Sequence, residues 1–491
     1  MFKKRKFLVF VFLLSTVLLP AFPAESGGEK ELTPKPIDQL AAYINDAQFN
    51  DFPEEVVKRA KYLILDSIGC ALGGTQVELG KDYLKLAEAW GTGSESTLIA
   101  KGTIVSCMNA AFANTQLANV LDFDDTYDLY SPGHPGNALV HTAIAFGEAV
   151  GASGEEVLTA VILGYEVCLR IGRAEGPIDW EWPSIYLSSM TRGTSTVSSR
   201  LLKLDKQKIA TALQHAMVIQ LTPKHLKFDI PPSVTVPGIK SNFGLTAVEG
   251  ILAARLAQQR IKGFAQFLNS DLKEWFLAGG SVEGYEVLTE GLGKIYRIME
   301  VSFKPTPSCR FTHIPITALW EALDNKPVKA KEVSQIIIKG VERLNRPEWK
   351  VMLEAQFSMQ CAVAMAALGI EPGPKWYTDN RFNGPDVREL AAKIKLENDP
   401  EAEELEIKNR KIKCTVKVKF KNGTVKEAIG SNIKGAPDNP MTEEELKAKF
   451  RANTIGIMSE SRVKELMDAV LNLEKLPQIS ELTSRYRLRS K

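Results

Sequence analysis

No CxxC pair occurs in the 491 residues, and the six cysteines, at 70, 107, 168, 309, 361 and 414, are too scattered for an iron–sulfur motif. Most lie in apolar segments, which points to buried thiols rather than a disulfide framework. No GxGxxG or GxxxxGK loop is present, so no nucleotide-phosphate cradle is encoded. Neither charge sign is in excess: 61 Lys and Arg stand against 59 Asp and Glu, a net +2. That balance does not suit a nucleic-acid partner. There is no disordered bulk and no collagen or coiled-coil bias, and the length predicts about two or three domains.

Long apolar runs are also scarce. The one at the N-terminus, Phe7 to Leu19, is short for a membrane span. It follows Lys3, Lys4, Arg5 and Lys6 and precedes Ala21-Phe22-Pro23-Ala24, the layout of an export signal cleaved after Ala24. A periplasmic or secreted protein with no stable membrane association is the expectation, and an uncleaved anchor is the alternative. No twin arginine and no lipid-bearing cysteine accompanies the run. Losing residues 1–24 removes four basic and no acidic residues, leaving 57 against 59 and a net −2.

What is present centres on Asn109 to His141. An apolar helical segment (Ala110, Ala111, Ala113, Leu117, Val120, Leu121) delivers Asp122, Asp124, Asp125 and Thr126 into a break ending in His134-Pro135-Gly136, and a second apolar segment follows. Polar side chains gathered between two closely packed helices can face a ligand. The same aspartates, with Asp128, Ser131 and Pro132, also suit a solvated helix end. A divalent cation is a third option, although the run lacks the glycine and terminal glutamate of a calcium loop.

Along the chain, helical periodicity starts after Pro53 (Val56, Val57, Ala60, Leu63, Ile64, Ile68, Ala71, Leu72) and stops at Gly73-Gly74. It recurs over Ala138 to Val150, Val157 to Ile171, Lys206 to Ile219 and Gly250 to Gln259. After about residue 270 the pattern changes. Val333 to Lys339 reads as a strand, and Ile412, Cys414, Val416, Val418 and Phe420 alternate ahead of the hairpin signal Asn422-Gly423. Helical stretches Ile314 to Leu323 and Ala355 to Leu368 lie between these strands. Thr442 and Glu445 form a capping box before a helical tail. The predicted fold is mainly α. It has a signal (1–24), a linker (25–36), a large all-helical domain (37–270), an inserted α+β lid (271–435) and a C-terminal helical segment (436–491) that packs on the helical domain.

Five stretches together resemble the MmgE/PrpD family: Leu65-Asp66-Ser67-Ile68-Gly69-Cys70, Asn109 to Gly136, Gly164-Tyr165-Glu166-Val167, Lys240 with Gly244 and Gly250 to Ala257, and Lys304-Pro305-Thr306-Pro307-Ser308-Cys309-Arg310-Phe311-Thr312-His313. They occur in family order from about residue 37 onward. The resemblance implies a homodimer, a site between helical domain and lid, and proton transfer beside a carboxylate of a small polycarboxylate without metal, flavin or nicotinamide. Dehydratases, decarboxylases and epimerases share that chemistry.

By position, the resemblance makes Asp122, Thr126 and His134 the catalytic loop, with the carboxylate orienting or acting as base and the imidazole as acid/base, a role suited to its neutral-range titration. Lys240 and Lys304 match the two site lysines, which would hold carboxylates and steady a negatively charged intermediate. Asp125, Cys309, Arg310 and His313 are candidates for substrate contact. As surface residues Lys240 and Lys304 would be ordinary, and Cys309 equally suits a buried thiol. Two positions depart from the family. Its second active-site histidine falls near Ser184, beside Trp180 and Trp182, and its lid tyrosine aligns with Cys361. Losing an imidazole and a phenol removes two proton donors, which weighs most against decarboxylation. A hydro-lyase is the leading expectation. A decarboxylase or epimerase of the same family, or an inactive organic-acid binder, are the alternatives.

Overall fold

The computed structural model describes residues 35–128, 133–174, 188–219, 242–263, 286–341, 344–402 and 413–487. The export signal and most of the predicted linker lie outside the described residues. Among the described residues no helix is long and apolar enough to cross a membrane.

The protein is mainly helical, as the periodicity predicts. After α1 (Pro36–Asp46), the central helix α2 (Glu54–Gly74) starts behind Pro53 with Glu54 and Glu55 in its first turn, where the helix dipole favours acids. Every residue from Tyr62 to Gly74 is buried. A helix apolar on all sides belongs in the middle of the fold. A Cβ at Gly74 would lie 2.2 Å from the carbonyl oxygen of Leu117, so glycine there lets α2 reach α4 (Cys107–Asn119). Between them run α3 (Glu78–Ala89) and a two-stranded ribbon, β1 (Ser96–Thr97) with β2 (Ile104–Val105).

Around α2 and α4 pack α5 (Pro135–Val150), α6 (Gly154–Ala174), α7 (Ser188–Leu201), α8 (Lys206–Val218) and α9 (Phe243–Gln258). The sequence SSMTRGTSTVSSRL of α7 has no apolar stripe, yet the helix is buried between α6 and α9. Some of its hydroxyls bond within the helix, Thr196 donating to the Arg192 carbonyl at 2.9 Å and Ser198 to the Thr194 carbonyl at 2.9 Å, and others reach α9, Thr191 donating to Glu249 Oε2 at 2.7 Å.

The later part carries α10 (His313–Ala322), α11 (Met352–Gln356), α12 (Met359–Ala367), α13 (Pro385–Ala391) and a four-stranded sheet in the order β4-β3-β5-β6. Strand β3 (Val333–Lys339) pairs parallel with β4 (Ile394–Glu397) and antiparallel with β5 (Cys414–Phe420), which returns through Asn422-Gly423 to β6 (Val425–Gly430). Ile336 and Ile338 lie opposite Val418 and Val416, all four buried, while α10 packs on β5 and β6. Of the alternating residues expected in β5, Ile412 lies outside the described residues.

The expected single helix over Ala355 to Leu368 is instead two. Ser358 has an extended backbone and its Oγ accepts from the Cys361 amide at 3.1 Å, so the chain stops at Phe357 and restarts with a new cap. The capping box forms at the tail: the Thr442 amide donates to Glu445 Oε2 at 2.7 Å and the Glu445 amide to Thr442 Oγ1 at 3.2 Å. It opens α14 (Glu443–Thr454), which packs on α2 and is followed by α15 (Glu460–Leu471) and α16 (Ser480–Thr483).

Candidate active site

The α4 helix ends at Asn119, and the chain then turns into a buried loop. Asp122 sits at φ 53°, a left-handed backbone unusual outside glycine. Such a conformation costs about 1–3 kcal/mol and persists only when its surroundings hold it. They do so through the loop's carbonyls. The Val120 carbonyl accepts from Gln356 Nε2 at 2.8 Å, that of Asp122 from Lys304 Nζ at 3.1 Å, and that of Phe123 from Lys449 Nζ at 2.6 Å. The Asp125 carbonyl lies 2.9 Å from His134 Nδ1, and Thr126 exchanges both backbone hydrogen bonds with Ser302. Groups from three distant parts of the chain, together with His134 close by, therefore fix one short loop.

Asp122, Asp124 and Asp125 are buried, not a solvated helix end. Lys304 is fully buried too, and its ammonium is ion-paired with Asp122 Oδ1. His134 completes the group, with Nε2 at 3.8 Å from Asp122 Oδ1 and its ring edge-on to Phe243 at 5.8 Å. A carbonyl can only accept, so the contact with Asp125 assigns the proton of the neutral ring to Nδ1. Nε2, the nitrogen turned toward Asp122, is then the basic one.

The other two aspartates organise the frame. Asp124 accepts from Asn119 Nδ2 at 3.0 Å and from Asn137 Nδ2 at 2.7 Å. Asp125 accepts from the Tyr165 hydroxyl at 2.7 Å and the Gly136 amide at 2.9 Å, and burial pushes its carboxyl up to about 7 against the lowering effect of Tyr165. A Cβ on Gly136 would fall 2.4 Å from the Tyr165 hydroxyl, which is why only glycine starts α5 so close to this pair.

Asp122, Asp124 and His134 bring three ligand-type atoms within 4.8 Å of one another. Their partners are cationic or amide donors, however, the lysine ammonium on Asp122 and two amides on Asp124. That donor set matches a proton-transfer centre, and a cation there would compete with Lys304 for Asp122.

Of the remaining candidates, Thr126 Oγ1 lies 3.4 Å from Asp128 Oδ1, and Arg310 holds Asp128 through Nε at 2.8 Å and Nη2 at 2.5 Å. Arg310 Nη1 is 3.2 Å from His313 Nδ1, so that nitrogen accepts and Nε2 carries the proton. Burial, with Arg310 and Lys304 nearby, pulls the His313 pKa well below its ordinary value. It is a neutral donor, and its buried Nε2 has no hydrogen-bond partner among the described residues. Cys309 is buried with Leu353 and Phe357, and its amide donates to the Gln356 carbonyl at 3.0 Å. Burial pushes the Cys361 thiol up, as it does the Tyr377 phenol, which is influenced by both Cys361 and Asp122 and donates to the Pro307 carbonyl. Lys240 and Ser184, with Trp180 and Trp182, lie outside the described residues.

The sequence reading missed Asn119, Asn137, Tyr165, Gln356 and Lys449 as loop supports. Lys449 carried a usable signal: with Leu446, Phe450 and Asn453 it occupies the buried face of α14, where a lysine needs a partner.

A buried lysine, carboxylate and imidazole gathered at the end of an internal helix mark this loop as the candidate site for acid–base chemistry. The comparisons sharpen this. Residues 38–275 match the MmgE/PrpD N-terminal domain and residues 306–475 the MmgE/PrpD C-terminal domain, so the chain belongs to the MmgE/PrpD family. It is 27% identical over 479 residues to the cis-aconitate decarboxylase of Homo sapiens, covering 91% of this chain and 93% of that protein. The enzymes of that name from Mus musculus (25% over 482 residues; 91% of this chain, 92% of that protein) and Aspergillus terreus (23% over 473; 90% and 94%) are similar over the same extent.

Proposed function

We propose that the protein is a lyase that removes a proton next to a carboxylate of a small polycarboxylic acid, and that its reaction is elimination of water. The observation that carries this reading is the buried Lys304–Asp122–His134 group, which joins a fixed positive charge to two proton-transfer side chains. In that reaction the base takes a proton from carbon, the electron pair forms the new double bond, and the hydroxyl leaves with a proton as water. His134 Nε2, left unprotonated by the bond of Nδ1–H to the Asp125 carbonyl, is the base. Lys304, with Lys240 as its expected companion, balances the charge that gathers on the substrate carboxylate as carbon loses its proton. His313 Nε2–H is a further donor for a carboxylate oxygen.

The decarboxylase relatives favour a second reading, loss of carbon dioxide from an unsaturated tricarboxylate. Dehydration takes a proton from carbon, and decarboxylation breaks a carbon–carbon bond and then adds a proton to carbon, so in deuterium oxide either leaves label in substrate or product. The test is NMR in deuterium oxide with a panel of di- and tricarboxylates, cis-aconitate among them. Exchange or turnover is expected with at least one acid, and His134→Ala is expected to lower it by roughly 10²–10⁴-fold. Released bicarbonate would replace the hydro-lyase reading by the decarboxylase one. Binding with neither exchange nor turnover would leave an organic-acid binder.

We further propose that the mature protein is exported and homodimeric. N-terminal sequencing of the protein from a periplasmic or extracellular fraction should begin at Glu25, and light scattering should return twice the mature mass. An intact Met1 on a cytoplasmic protein would remove the export proposal.

A further inference from the structure

We propose that Lys449, donated by the C-terminal helix α14, is a positioning residue that sets the catalytic loop from beneath; its kinetic consequence rests on the lyase reading above. The lysine is buried, its Nζ lies 2.6 Å from both Asp66 Oδ1 on α2 and the Phe123 carbonyl, and it sits 4.1 Å from the centre of the Phe123 ring. Phe123 is the residue between left-handed Asp122 and the amide-bound Asp124. Its carbonyl belongs to the peptide that leads into Asp124, so the lysine fixes the backbone immediately after Asp122, between the carboxylate paired with Lys304 and the one held by two amides. Lys304 holds the preceding carbonyl from the other side of the sequence. Two ammonium groups thus grip consecutive carbonyls.

The pair is a poor device for stability alone. Asp66 Oδ2 is buried with no hydrogen-bond partner among the described residues, and a buried ion pair with an unmet oxygen returns little of its desolvation cost. What it does supply is a permanent donor aimed at one carbonyl. Burial disfavours the charge on Lys449, but Asp66, with Cys70 and Asp124 also near, holds its pKa above the ordinary lysine value.

The experiment compares two variants of the full mature chain, Asp66→Asn and Asp66→Asn/Lys449→Met. The first removes the counter-ion and keeps an amine that donates to Phe123. The second leaves a neutral core without the donor. Two readouts are taken: ¹⁵N NMR of the histidine rings, with the His134 signal assigned by its loss in His134→Gln, and kcat and KM with whichever acid the wild type turns over. Asp66→Asn is expected to keep the His134 signals and to stay within about threefold of wild type. The double variant is expected to shift the His134 Nδ1 signal and to lose about tenfold or more in kcat with KM within about threefold, as misplacement of a reacting group does. Equal behaviour of the two variants in both readouts would overturn the proposal. So would unfolding of both, which would assign the pair to stability alone. If the wild type turns over none of the acids, the lyase reading fails by itself, and the His134 spectra still decide whether Lys449 positions the loop.

Discussion

Proton exchange into a carboxylic-acid substrate is expected to fall by about 10²–10³-fold in a Lys304→Met protein, the scale seen when a fixed donor is taken from a developing negative charge. Three effects act together. The substrate carboxylate loses a buried cation, Asp122 loses its ion-pair partner, and the left-handed backbone at Asp122 loses the bond to its own carbonyl. The second effect also bears on folding, because a stranded buried carboxylate costs about 3–5 kcal/mol. Urea unfolding at neutral pH measures that cost. The double variant Asp122→Asn/Lys304→Met removes both charges and should recover most of the stability while staying inactive. Recovery of activity along with stability would mean that Lys304 is only a structural counter-ion. Arginine is not expected to rescue the site, since its wider fork does not fit a cavity closed around one ammonium.

The second large effect concerns stability and its pH dependence. Lys449→Met alone is expected to cost about 3–5 kcal/mol near pH 7, because Asp66 then stays buried without its partner. Burial already raises the Asp66 pKa, and Lys449 is the main influence opposing that rise. Without the lysine the folded carboxyl climbs further, whereas the unfolded chain keeps an ordinary value of about 4. The sign follows. Between those values the folded state holds a proton that the unfolded state has released, so stability falls as pH rises through the window. The deficit should therefore shrink on acidification toward pH 4 and be largest at neutral pH. Urea midpoints across that range check it, and a deficit independent of pH would show that Asp66 is not the stranded group.

The loop itself was legible in the sequence because its polar residues interrupt two apolar helices, although a solvated helix end would look the same until burial is known. Lys304 was placed by its motif, although as an isolated residue it reads like any surface lysine. Burial separates the two cases, and burial is a property of the fold. Lys449 and Asp66 were hidden for related reasons. Each is one charge inside an otherwise regular element, and only the crossing of α14 over α2 reveals that the two meet. The α7 helix lacked the usual periodicity because small hydroxylated residues, some bonded to their own helix and some to α9, serve there as packing surface. The break at Ser358 was lost for the opposite reason. Apolar residues continue on both sides of it, and a cap within an apolar run leaves little compositional trace. His313 was legible only as a candidate for substrate contact, because a residue type does not show that burial and a neighbouring arginine pull its pKa down.

The carbonyl of Phe123 and the amine that grips it are 326 positions apart, and Asp66 is farther still from the same amine. During synthesis the loop, α2 and α5 all emerge long before residue 449. Throughout that interval the loop lacks one of its supports and Asp66 lacks its ammonium partner. The nascent protein therefore carries an unfinished centre until its last helices are made. A chain cut short ahead of α14 would lose a support of the candidate site as well as its tail.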